Sequence, residues 1–333
     1  MPNTSTAITR IRLKHFTAFE SLDLSPSPGI NALLGANGTG KTHLMKVAYA
    51  ACDVRTSKAR FSDKLVRLFL PSNQHMGRLI HRRPGSSQAI AEVAWGEESF
   101  IRTTFSNRTK SAASAGEAGA ETTTYTGQSA YIPVKEMLAN TPGFRSLYSS
   151  RSIYFEEIYS DILDRAFLPP LRGSPDLARR ELLETLRKAL EGKVSYEGEE
   201  FFIRSKQGKL EKLGLLWLLI QNGTLTEESI LFWDEPETNL NPRLFRPVVD
   251  ILLELQRQSV QIFIATHDYL ILKLLDLRMT SDDKVVYHAF YRDNDELVYN
   301  TVDSYLEITP NAIAETFSNV YDLEVRRSLE ANW

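Results

Sequence analysis

GANGTGKT, residues 35–42, matches the phosphate-loop pattern G-x-x-x-x-G-K-[ST] and decides the fold expected for this sequence. In such a loop, the glycines let backbone N–H groups turn inward around a polyphosphate. Lys41 would reach the β and γ oxygens, and the Thr42 hydroxyl would ligate Mg²⁺. The pattern predicts a nucleotide site, and the alternative is a simple glycine turn at the end of a strand.

The residues on either side of the loop favour the nucleotide site. GINALLG before it is typical of a short buried strand, and KTHLMKVAYAA after it has the apolar spacing of a helix. The helix N-terminus would add free N–H groups and a partial positive charge to the phosphate site. The predicted cofactor-binding residues of this segment are Gly35, Asn37, Gly38, Thr39, Gly40, Lys41 and Thr42.

The composition is that of an ordinary globular protein. The chain has 333 residues, of which 42% are hydrophobic and 24% are charged, and this is enough to bury a substantial core. Its 39 Lys and Arg residues against 42 Asp and Glu residues give a net charge of -3, so no overall basic field indicates nucleic acid. The single cysteine, Cys52, excludes an internal disulfide and fits a reducing compartment.

The sequence carries no recognisable targeting or membrane signal. Its first residues, MPNTSTAITRIRLKHF, lack the apolar stretch of a signal peptide. No apolar run approaches the roughly 20 residues that a helix needs to span a bilayer. We therefore expect a cytoplasmic protein without membrane contact.

Secondary-structure patterns predict an α/β fold. RIRLKHF and ESLDL predict two strands, QAIAEVAWGEESFIRTTF predicts a hairpin that turns near Gly96, and SAYIPV predicts another strand. The small, polar segment SAASAGEAGAETTT, residues 111–124, predicts a mobile loop. Helical patterns dominate residues 142–200, which we interpret as a helical insertion within a single domain of residues 1–333. The last third alternates helix and strand, which indicates a mainly parallel sheet with covering helices.

A second segment, ILFWDEPETNLNP, places two acids after an apolar strand. Asp234 and Glu235 follow residues 230–233, at the carboxyl end of a strand, where sites form in α/β proteins. Asp234 would hold the water shell of Mg²⁺ opposite Thr42, and Glu235 would orient or deprotonate the attacking water. Alone, these acids would equally fit an exposed strand end, but together with GANGTGKT they favour ATP hydrolysis.

A third segment, IFIATHD, is another apolar strand that ends in polar residues. His267 would lie at the same sheet edge as Asp234, because the carboxyl ends of parallel strands meet there. A lone histidine is usually structural, but this placement favours a contact with the γ-phosphate. The predicted catalytic residues are Glu235 and His267, and the predicted metal ligands are Thr42 and Asp234.

These three segments, in this order, resemble the ABC-type ATPase heads of SMC, RecF and OLD-type proteins. The resemblance assigns Walker A to Gly35–Thr42, Walker B to Ile230–Glu235, the D-loop to Asn239–Pro242 and the switch histidine to His267. It implies a P-loop NTPase of the ABC-ATPase head type, with mixed β-sheets, flanking helices and a helical insertion. AYIPVKEML, KLGLLWLLIQNGTL and LFWDEPETNLNP further resemble the stand-alone OLD-related ATPases of bacterial anti-phage systems, such as AriA of PARIS and PtuA of Septu.

The family implies that ATP brings two heads together, with each nucleotide between one subunit's phosphate loop and the other's signature segment. RSKQGKLEKLG occupies the signature position, where Ser205 and Gly208 match an LSGGQ-like motif loosely. By the same resemblance, Glu136 of IPVKE falls near the Q-loop glutamine, with Lys135 as the competing choice. The implied cofactors are ATP and Mg²⁺.

Residues 55–83 form a basic stretch in a slightly acidic protein. They contain one acid, Asp63, and eight basic residues: Arg55, Lys58, Arg60, Lys64, Arg67, Arg78, Arg82 and Arg83. Such a stretch fits either a solvated charged helix face or a contact with the backbone of a nucleic acid.

Several functions use a head of this kind. The first is the ATP-hydrolysing regulatory subunit of an anti-phage defence system, a homo-oligomer that switches an effector such as a Toprim or HNH nuclease. The second is a RecF- or SMC-like DNA-repair ATPase that contacts DNA through residues 55–83. A transporter subunit would have a cleaner signature, and a complete OLD nuclease would need more sequence after His267. We therefore expect the defence ATPase, with the RecF-like protein as the best alternative.

Overall fold

The structure is a computed structural model that describes residues 6–57, 59–82, 85, 87–120, 127–138, 141–151, 153–197, 200–205, 211–294 and 296–330. Its strands are β1 (Arg10–Phe16), β2 (Phe19–Leu24), β3 (Ile30–Gly35), β4 (Gln88–Trp95), β5 (Ser99–Ser106), β6 (Gly116–Ala120), β7 (Ser129–Ile132), β8 (Gly192–Glu197), β9 (Glu200–Ser205), β10 (Ile230–Asp234), β11 (Gln261–Thr266), β12 (Val285–Asp293) and β13 (Glu296–Val302). Its α-helices are α1 (Lys41–Ser57), α2 (Phe61–Phe69), α3 (Phe144–Arg151), α4 (Glu157–Ala166), α5 (Leu177–Leu190), α6 (Glu211–Gln221), α7 (Phe245–Arg257), α8 (Tyr269–Arg278) and α9 (Ala312–Glu330).

The first sheet is antiparallel and has the order β2-β1-β4-β5-β6. The predicted strand pair before the phosphate loop and the predicted hairpin near Gly96 are confirmed. The predicted loop at residues 111–124 is wrong in part, because β6 pairs with β5 there. Small residues allow this pairing: a Cβ at Gly119 would lie 2.9 Å from the carbonyl oxygen of Phe100. Residues 121–124 of that prediction lie outside the described residues.

The second sheet has the order β13-β12-β3-β11-β10-β7, and all neighbours are parallel except β12 and β13. The predicted, mainly parallel sheet is therefore confirmed. Every residue of β10 and β11 is buried, as expected when helices cover both faces of a parallel sheet. The carboxyl ends of β3, β11 and β10 are neighbours at one edge of this sheet, and the three predicted site segments follow these ends.

One hydrophobic core joins the two sheets and includes Ile11 from the antiparallel sheet and Ile264 from the parallel sheet. Helices α1 and α7 both pack against β3 and β11. Cys52 is buried within α1. Among the helices of the described residues, none is both long enough and apolar enough to cross a bilayer.

The segment 142–200 is helical only in its first part. Helices α3, α4 and α5 account for it as far as Leu190. Helix α5 packs against α6 and α7, and its Leu182, Leu186 and Leu190 are buried. It then continues as the antiparallel hairpin β8–β9, which was not predicted. That residues 1–333 form a single domain with this segment as an insertion stays a prediction.

Candidate nucleotide site

The phosphate loop connects β3 to α1 and is held by close packing on two sides. Gly35 and Gly40 have φ angles of +145° and +86°. A Cβ at Gly35 would lie 2.1 Å from the carbonyl oxygen of Phe290, and one at Gly40 would lie 2.6 Å from the ring of Phe19. Both glycines are therefore required by the backbone conformation and by the space around them.

The remaining predicted loop residues complete this turn. Asn37 and Gly38 are exposed, whereas Thr39 is buried and its hydroxyl donates to the carbonyl of Ala36 at 2.8 Å. Gly38 has a φ angle of +79°, and among the described residues other than its two chain neighbours no atom lies within 4 Å of where a Cβ would stand. The exposed part of the loop is thus the part that a ligand can reach.

Lys41 folds back over the loop at the start of α1. Its Nζ donates to the carbonyls of Gly35 at 2.7 Å and Ala36 at 3.0 Å. Burial lowers the pKa of Lys41, while the carboxylates of Asp234 and Glu235 act in the opposite direction. Phosphate oxygens would replace the loop carbonyls as acceptors for this ammonium.

Asp234, the last residue of β10, meets the first turn of α1. Its Oδ1 lies 3.3 Å from the hydroxyl of Thr42, and its Oδ2 accepts from the hydroxyl of Tyr131 at 3.2 Å. Burial raises the pKa of Asp234, although these two hydrogen bonds oppose the rise. A hydroxyl and a carboxylate are oxygen ligands of the kind that Mg²⁺ takes, so the two predicted metal ligands fit this ion.

Glu235 follows β10 in a left-handed backbone conformation, with a φ angle of +48°. A non-glycine residue in this region costs about 1–2 kcal/mol and persists where its surroundings hold it. Its N–H donates to the carbonyl of Ala265 at 2.9 Å, and its Oε2 accepts from the hydroxyl of Thr238 at 2.9 Å. The side chain is 29% exposed, so a water molecule can reach its carboxylate.

His267 follows β11 at the same sheet edge as Asp234, as predicted, and it lies next to Glu235. Its Nδ1 is 3.6 Å from Glu235 Oε1 and 3.8 Å from Glu237 Oε1, and its side chain is 49% exposed. The structure therefore brings together Lys41, Thr42, Asp234, Glu235 and His267 at one sheet edge.

Glu237 is a site residue that the sequence analysis missed. Its Oε1 accepts from the hydroxyl of Thr266 at 2.9 Å and from the N–H of His267 at 3.4 Å. Burial raises the pKa of this carboxyl, which is 9% exposed. Its other oxygen is buried and has no hydrogen-bond partner within the described part of the chain. The signal was present as the third acid of DEPE.

Lys212 is a second residue that was missed. It lies in the first turn of α6, is 1% exposed, and its Nζ donates to the carbonyl of Glu235 at 2.7 Å. Burial lowers the pKa of Lys212, against the opposing charges of Glu136, Glu237, Glu235 and Asp234. A charged residue within the apolar helix KLGLLWLLI was the available signal.

The structure describes both Q-loop candidates but only part of the signature segment, and both assignments stay predictions. Glu136 is half-buried and acts on the charge of Lys212, whereas Lys135 is exposed, with its Nζ 5.9 Å from the centre of the Phe155 ring. Of the two signature residues, Ser205 ends β9 opposite Gly192. Gly208 lies outside the described residues, so the signature assignment stays a prediction.

The basic stretch 55–83 does not form a continuous basic surface. Four of its members are engaged within the chain: Arg55 stacks on Trp95 at 4.1 Å, Arg60 pairs with Glu117 at 3.5 Å, Lys64 pairs with Asp53, Glu157 and Asp161, and Arg67 pairs with Glu157 at 2.6 Å. The predicted solvated helix face is wrong for Lys64, whose side chain is 2% exposed, whereas Arg60 and Arg67 are partly exposed. Arg78 and Arg82 are exposed, and Lys58 and Arg83 lie outside the described residues.

A pocket of about 420 Å³ adjoins the phosphate loop on the side of His267. Residues of the loop, of the end of β12 and of the beginning of α9 line it, among them Asn37, Phe290, Asn311 and Phe317. The loop therefore has open space beside it.

Comparison with known sequences gives matches to a protein family and to individual proteins, each over a limited part of the chain. Residues 149–273, less than half of the chain, match the family described as "AAA domain, putative AbiEii toxin, Type IV TA system". This match includes Asp234, Glu235 and His267. The "DNA replication and repair protein RecF" of Vibrio atlanticus is 35% identical over 60 residues, and that of Klebsiella pneumoniae is 38% identical over 61 residues. Each match covers 18% of this chain and 17% of the relative, so the chain spans about a sixth of these curated relatives.

Solved structures with the same fold cover almost the whole chain. An SMC head bound to the C-winged helix domain of ScpA superposes with a TM-score of 0.53 at 13% identity, over 90% of this chain and 98% of that one. An SMC head from Pyrococcus furiosus, with an extended coiled coil and bound to the C-terminal domain of ScpA, has a TM-score of 0.52 at 12% identity, over 95% and 99%. The predicted fold class is confirmed: the chain has the mixed α/β fold of an SMC head, of the ABC-ATPase type. The sequence matches support an ATPase domain of the AAA and RecF type.

Proposed function

We propose that this chain is an ATP-binding and ATP-hydrolysing regulatory subunit of a bacterial anti-phage defence system. ATP would control its self-association, and the associated state would switch an effector such as a Toprim or HNH nuclease. The observation that carries ATP hydrolysis is the convergence of Lys41, Thr42, Asp234, Glu235 and His267 at one sheet edge. The toxin and toxin–antitoxin terms in the description of the matched family support a defence context.

Each residue has a distinct role in the proposed reaction. Mg²⁺, held by Thr42 and Asp234, would supply positive charge to the β and γ oxygens. Lys41 would bind the same phosphates, and Glu235 would accept a proton from the attacking water. His267 would donate a hydrogen bond to the γ-phosphate as its charge redistributes in the transition state.

Association would follow from the same site. In the proposed arrangement, the segment of Ser205 and Gly208 contacts the nucleotide of a second copy, and only ATP supplies the γ-phosphate that bridges the copies. A helix N-terminus directed at that phosphate would favour the anion. ADP would therefore loosen the pair. The SMC heads of similar fold that bind ScpA support a protein partner for this chain in general terms.

Light scattering tests this proposal. Glu235→Gln should bind ATP, hydrolyse it slowly and accumulate as a dimer, because the amide cannot accept the proton of the water. Lys41→Ala, the matched control, should neither bind ATP nor associate. Ser205→Arg or Gly208→Glu should block association through bulk or through repulsion from phosphate. A Glu235→Gln protein that stays monomeric in ATP would rule out the shared-nucleotide arrangement.

A RecF- or SMC-like DNA-repair ATPase is the alternative, and the RecF matches favour it. Two measurements separate the functions: the plating efficiency of phage on cells that carry the gene with its neighbours, and the anisotropy of labelled duplex DNA. The defence function predicts protection that Glu235→Gln removes. The repair function predicts DNA binding that Arg78→Glu combined with Arg82→Glu removes, since both side chains are exposed.

A further inference from the structure

Lys212 is buried behind the candidate catalytic carboxylate, and the reaction proposed above assigns it no role. A lysine that is 1% exposed requires compensation for the desolvated charge. Its Nζ donates at 2.7 Å to the main-chain carbonyl of Glu235, whereas the Glu235 carboxylate bonds to the hydroxyl of Thr238. The ammonium therefore contacts the backbone that carries the carboxylate, rather than the carboxylate itself.

The contact is made at a turn that needs support. Glu235 has a φ angle of +48°, and its peptide groups make three hydrogen bonds in the described structure. Its N–H donates to the carbonyl of Ala265 in β11, and its carbonyl accepts from the N–H of Thr238 within the turn at 3.1 Å. The shortest bond, at 2.7 Å, comes from the side chain of Lys212, on a helix that begins at Glu211.

The surrounding charges explain why a cation occupies this position. The carboxylates of Glu136, Glu237, Glu235 and Asp234 all act on Lys212. Like charges gathered at one sheet edge repel each other, and a buried cation behind them offsets that repulsion. A neutral donor would support the turn but would leave the four acids without this compensation.

We propose that Lys212 is a positioning residue that holds the left-handed turn at Glu235 and so directs the Glu235 carboxylate into the site. The effect of Lys212 on catalysis rests on the proposed ATP hydrolysis. The effect of Lys212 on the turn at Glu235 is independent of that proposal. Removal of the ammonium leaves the carbonyl of Glu235 with the N–H of Thr238, at 3.1 Å, as its remaining donor in the described structure, so the turn can relax. ATP affinity depends on Lys41 and Thr42, which Lys212 does not contact in the described structure.

A double-mutant cycle measures the catalytic effect. Lys212→Met should lower kcat by roughly 10- to 100-fold, as expected for a misplaced catalytic group, with the KM for ATP changed less than about threefold. Lys212→Arg, which keeps a cationic donor, should recover part of the loss. In the Glu235→Gln background, Lys212→Met should change the residual rate less than about twofold, because the two residues act as one unit. An equal fold-loss of kcat in both backgrounds would mean that Lys212 is merely structural and would overturn the proposal.

Hydrogen–deuterium exchange tests the turn without ATP hydrolysis. Lys212→Met should raise exchange of the amides at residues 235–238 and leave the hairpin at residues 285–302 unchanged. Lys46→Met, the matched control, removes another buried lysine, which pairs with Glu156 at 2.8 Å, and should leave residues 235–238 unchanged. If the wild-type protein hydrolyses no ATP, the proposed function fails, and increased exchange still supports the role of Lys212. Unchanged exchange at residues 235–238 in folded Lys212→Met overturns it.

Discussion

The hydroxyl of Thr42 lies 3.3 Å from Oδ1 of Asp234, and this contact joins segments that are 192 positions apart in sequence. It connects the first turn of α1 to the end of β10. Tyr131 bonds the other oxygen of the carboxylate at 3.2 Å and fixes its orientation. The pair is therefore already arranged for a divalent ion that prefers oxygen ligands.

Asp234→Asn should separate metal binding from folding. The amide oxygen can still accept from Thr42 or Tyr131. Burial disfavours the charged carboxylate of Asp234 and raises its pKa, and the neutral amide avoids this cost. The Tm of the variant should therefore not fall. Affinity for ATP with Mg²⁺ should drop about tenfold or more, whereas affinity in EDTA should change little. Titration with a fluorescent ATP analogue measures both. Equal affinities for the variant and the wild type in Mg²⁺ would exclude Asp234 from the metal site.

His267→Ala should affect turnover more than binding. A hydrogen bond to the γ-phosphate strengthens as charge develops, so kcat should fall roughly 100-fold while ATP affinity stays within a few-fold. Steady-state kinetics together with nucleotide titration separate the two quantities. An unchanged kcat would assign His267 a structural role with Glu237, whose Oε1 lies 3.8 Å from its Nδ1.

Gly35→Ala should disrupt the phosphate loop more than Gly38→Ala does. At Gly35 the added Cβ would lie 2.1 Å from the carbonyl oxygen of Phe290, in the β3–β12 pair, so backbone must move. Gly38 also has a positive φ angle but has open space, so alanine there costs only about 1 kcal/mol of backbone strain. Thermal melts and ATP titrations of both variants give the comparison. Equal losses of Tm would show that the close approach at Gly35 is not limiting.

The predictable parts of this molecule are those in which the signal is local. The phosphate loop, its strand and its helix lie within 30 consecutive positions, and apolar periodicity alone gives β10 and β11. Strand β6 was missed because its small residues carry no apolar alternation, and only pairing with β5 defines it. The hairpin β8–β9 was missed because helical spacing before it extended the predicted insertion to residue 200.

The unpredicted site residues depend on partners that are distant in sequence. Lys212 donates to a carbonyl 23 positions away, and the sequence KLGLLWLLI gives no indication of which group accepts this hydrogen bond. The basic stretch misleads for the same reason: Lys64 bonds Asp161, 97 positions away, so its charge is already neutralised inside the fold. Residue types in the sequence predicted the candidate site residues. Only the tertiary contacts show which charged side chains lie at that site and which form ion pairs elsewhere in the fold.

His288 should make the protein less stable in mild acid. Burial lowers its pKa to about 4 from an ordinary 6.5, so the unfolded chain binds more protons between these values. The contribution of His288 to the free energy of unfolding is therefore complete above pH 6.5 and decreases as the pH falls toward 4. At pH 5 the decrease is about 2 kcal/mol. Urea titrations at pH 7.5 and 5 measure the loss. His288→Gln, which can still bond Thr301 and Asn31, should lose less between the same two values, and an identical loss would refute the assignment.

A buried ion cluster joins the helix of the phosphate loop to the segment 142–200. Lys64 on α2 bonds Asp53 of α1 at 2.8 Å and Asp161 of α4 at 2.6 Å, and Arg165 bonds Asp53 at 2.8 Å. Burial acts to lower the pKa of Lys64, but the surrounding carboxylates outweigh it, so this pKa is raised. At Asp161 burial prevails and raises the pKa of the carboxyl. The two carboxylates of the cluster are balanced by two cations, and Lys64 is the one that pairs with both of them.

Lys64→Met should therefore destabilise the fold by about 3–5 kcal/mol, because it removes the cation that pairs with the buried carboxylate of Asp161, although Asp53 keeps its pair with Arg165. Lys273→Met is the matched control: its ion pair with Asp276, at 2.9 Å, is partly exposed, and its loss should cost about 1 kcal/mol or less. The difference between Lys64→Met and the wild type should shrink as the pH falls, since removal of the cation raises the pKa of Asp161 further and protonation then relieves the unpaired charge. Urea unfolding of the three proteins at pH 7.5 and pH 5 checks the order and the sign. If both lysine variants lose the same stability at pH 7.5, the cluster does not hold α4 against α1, and apolar packing around Ile162 and Leu163 alone accounts for their contact.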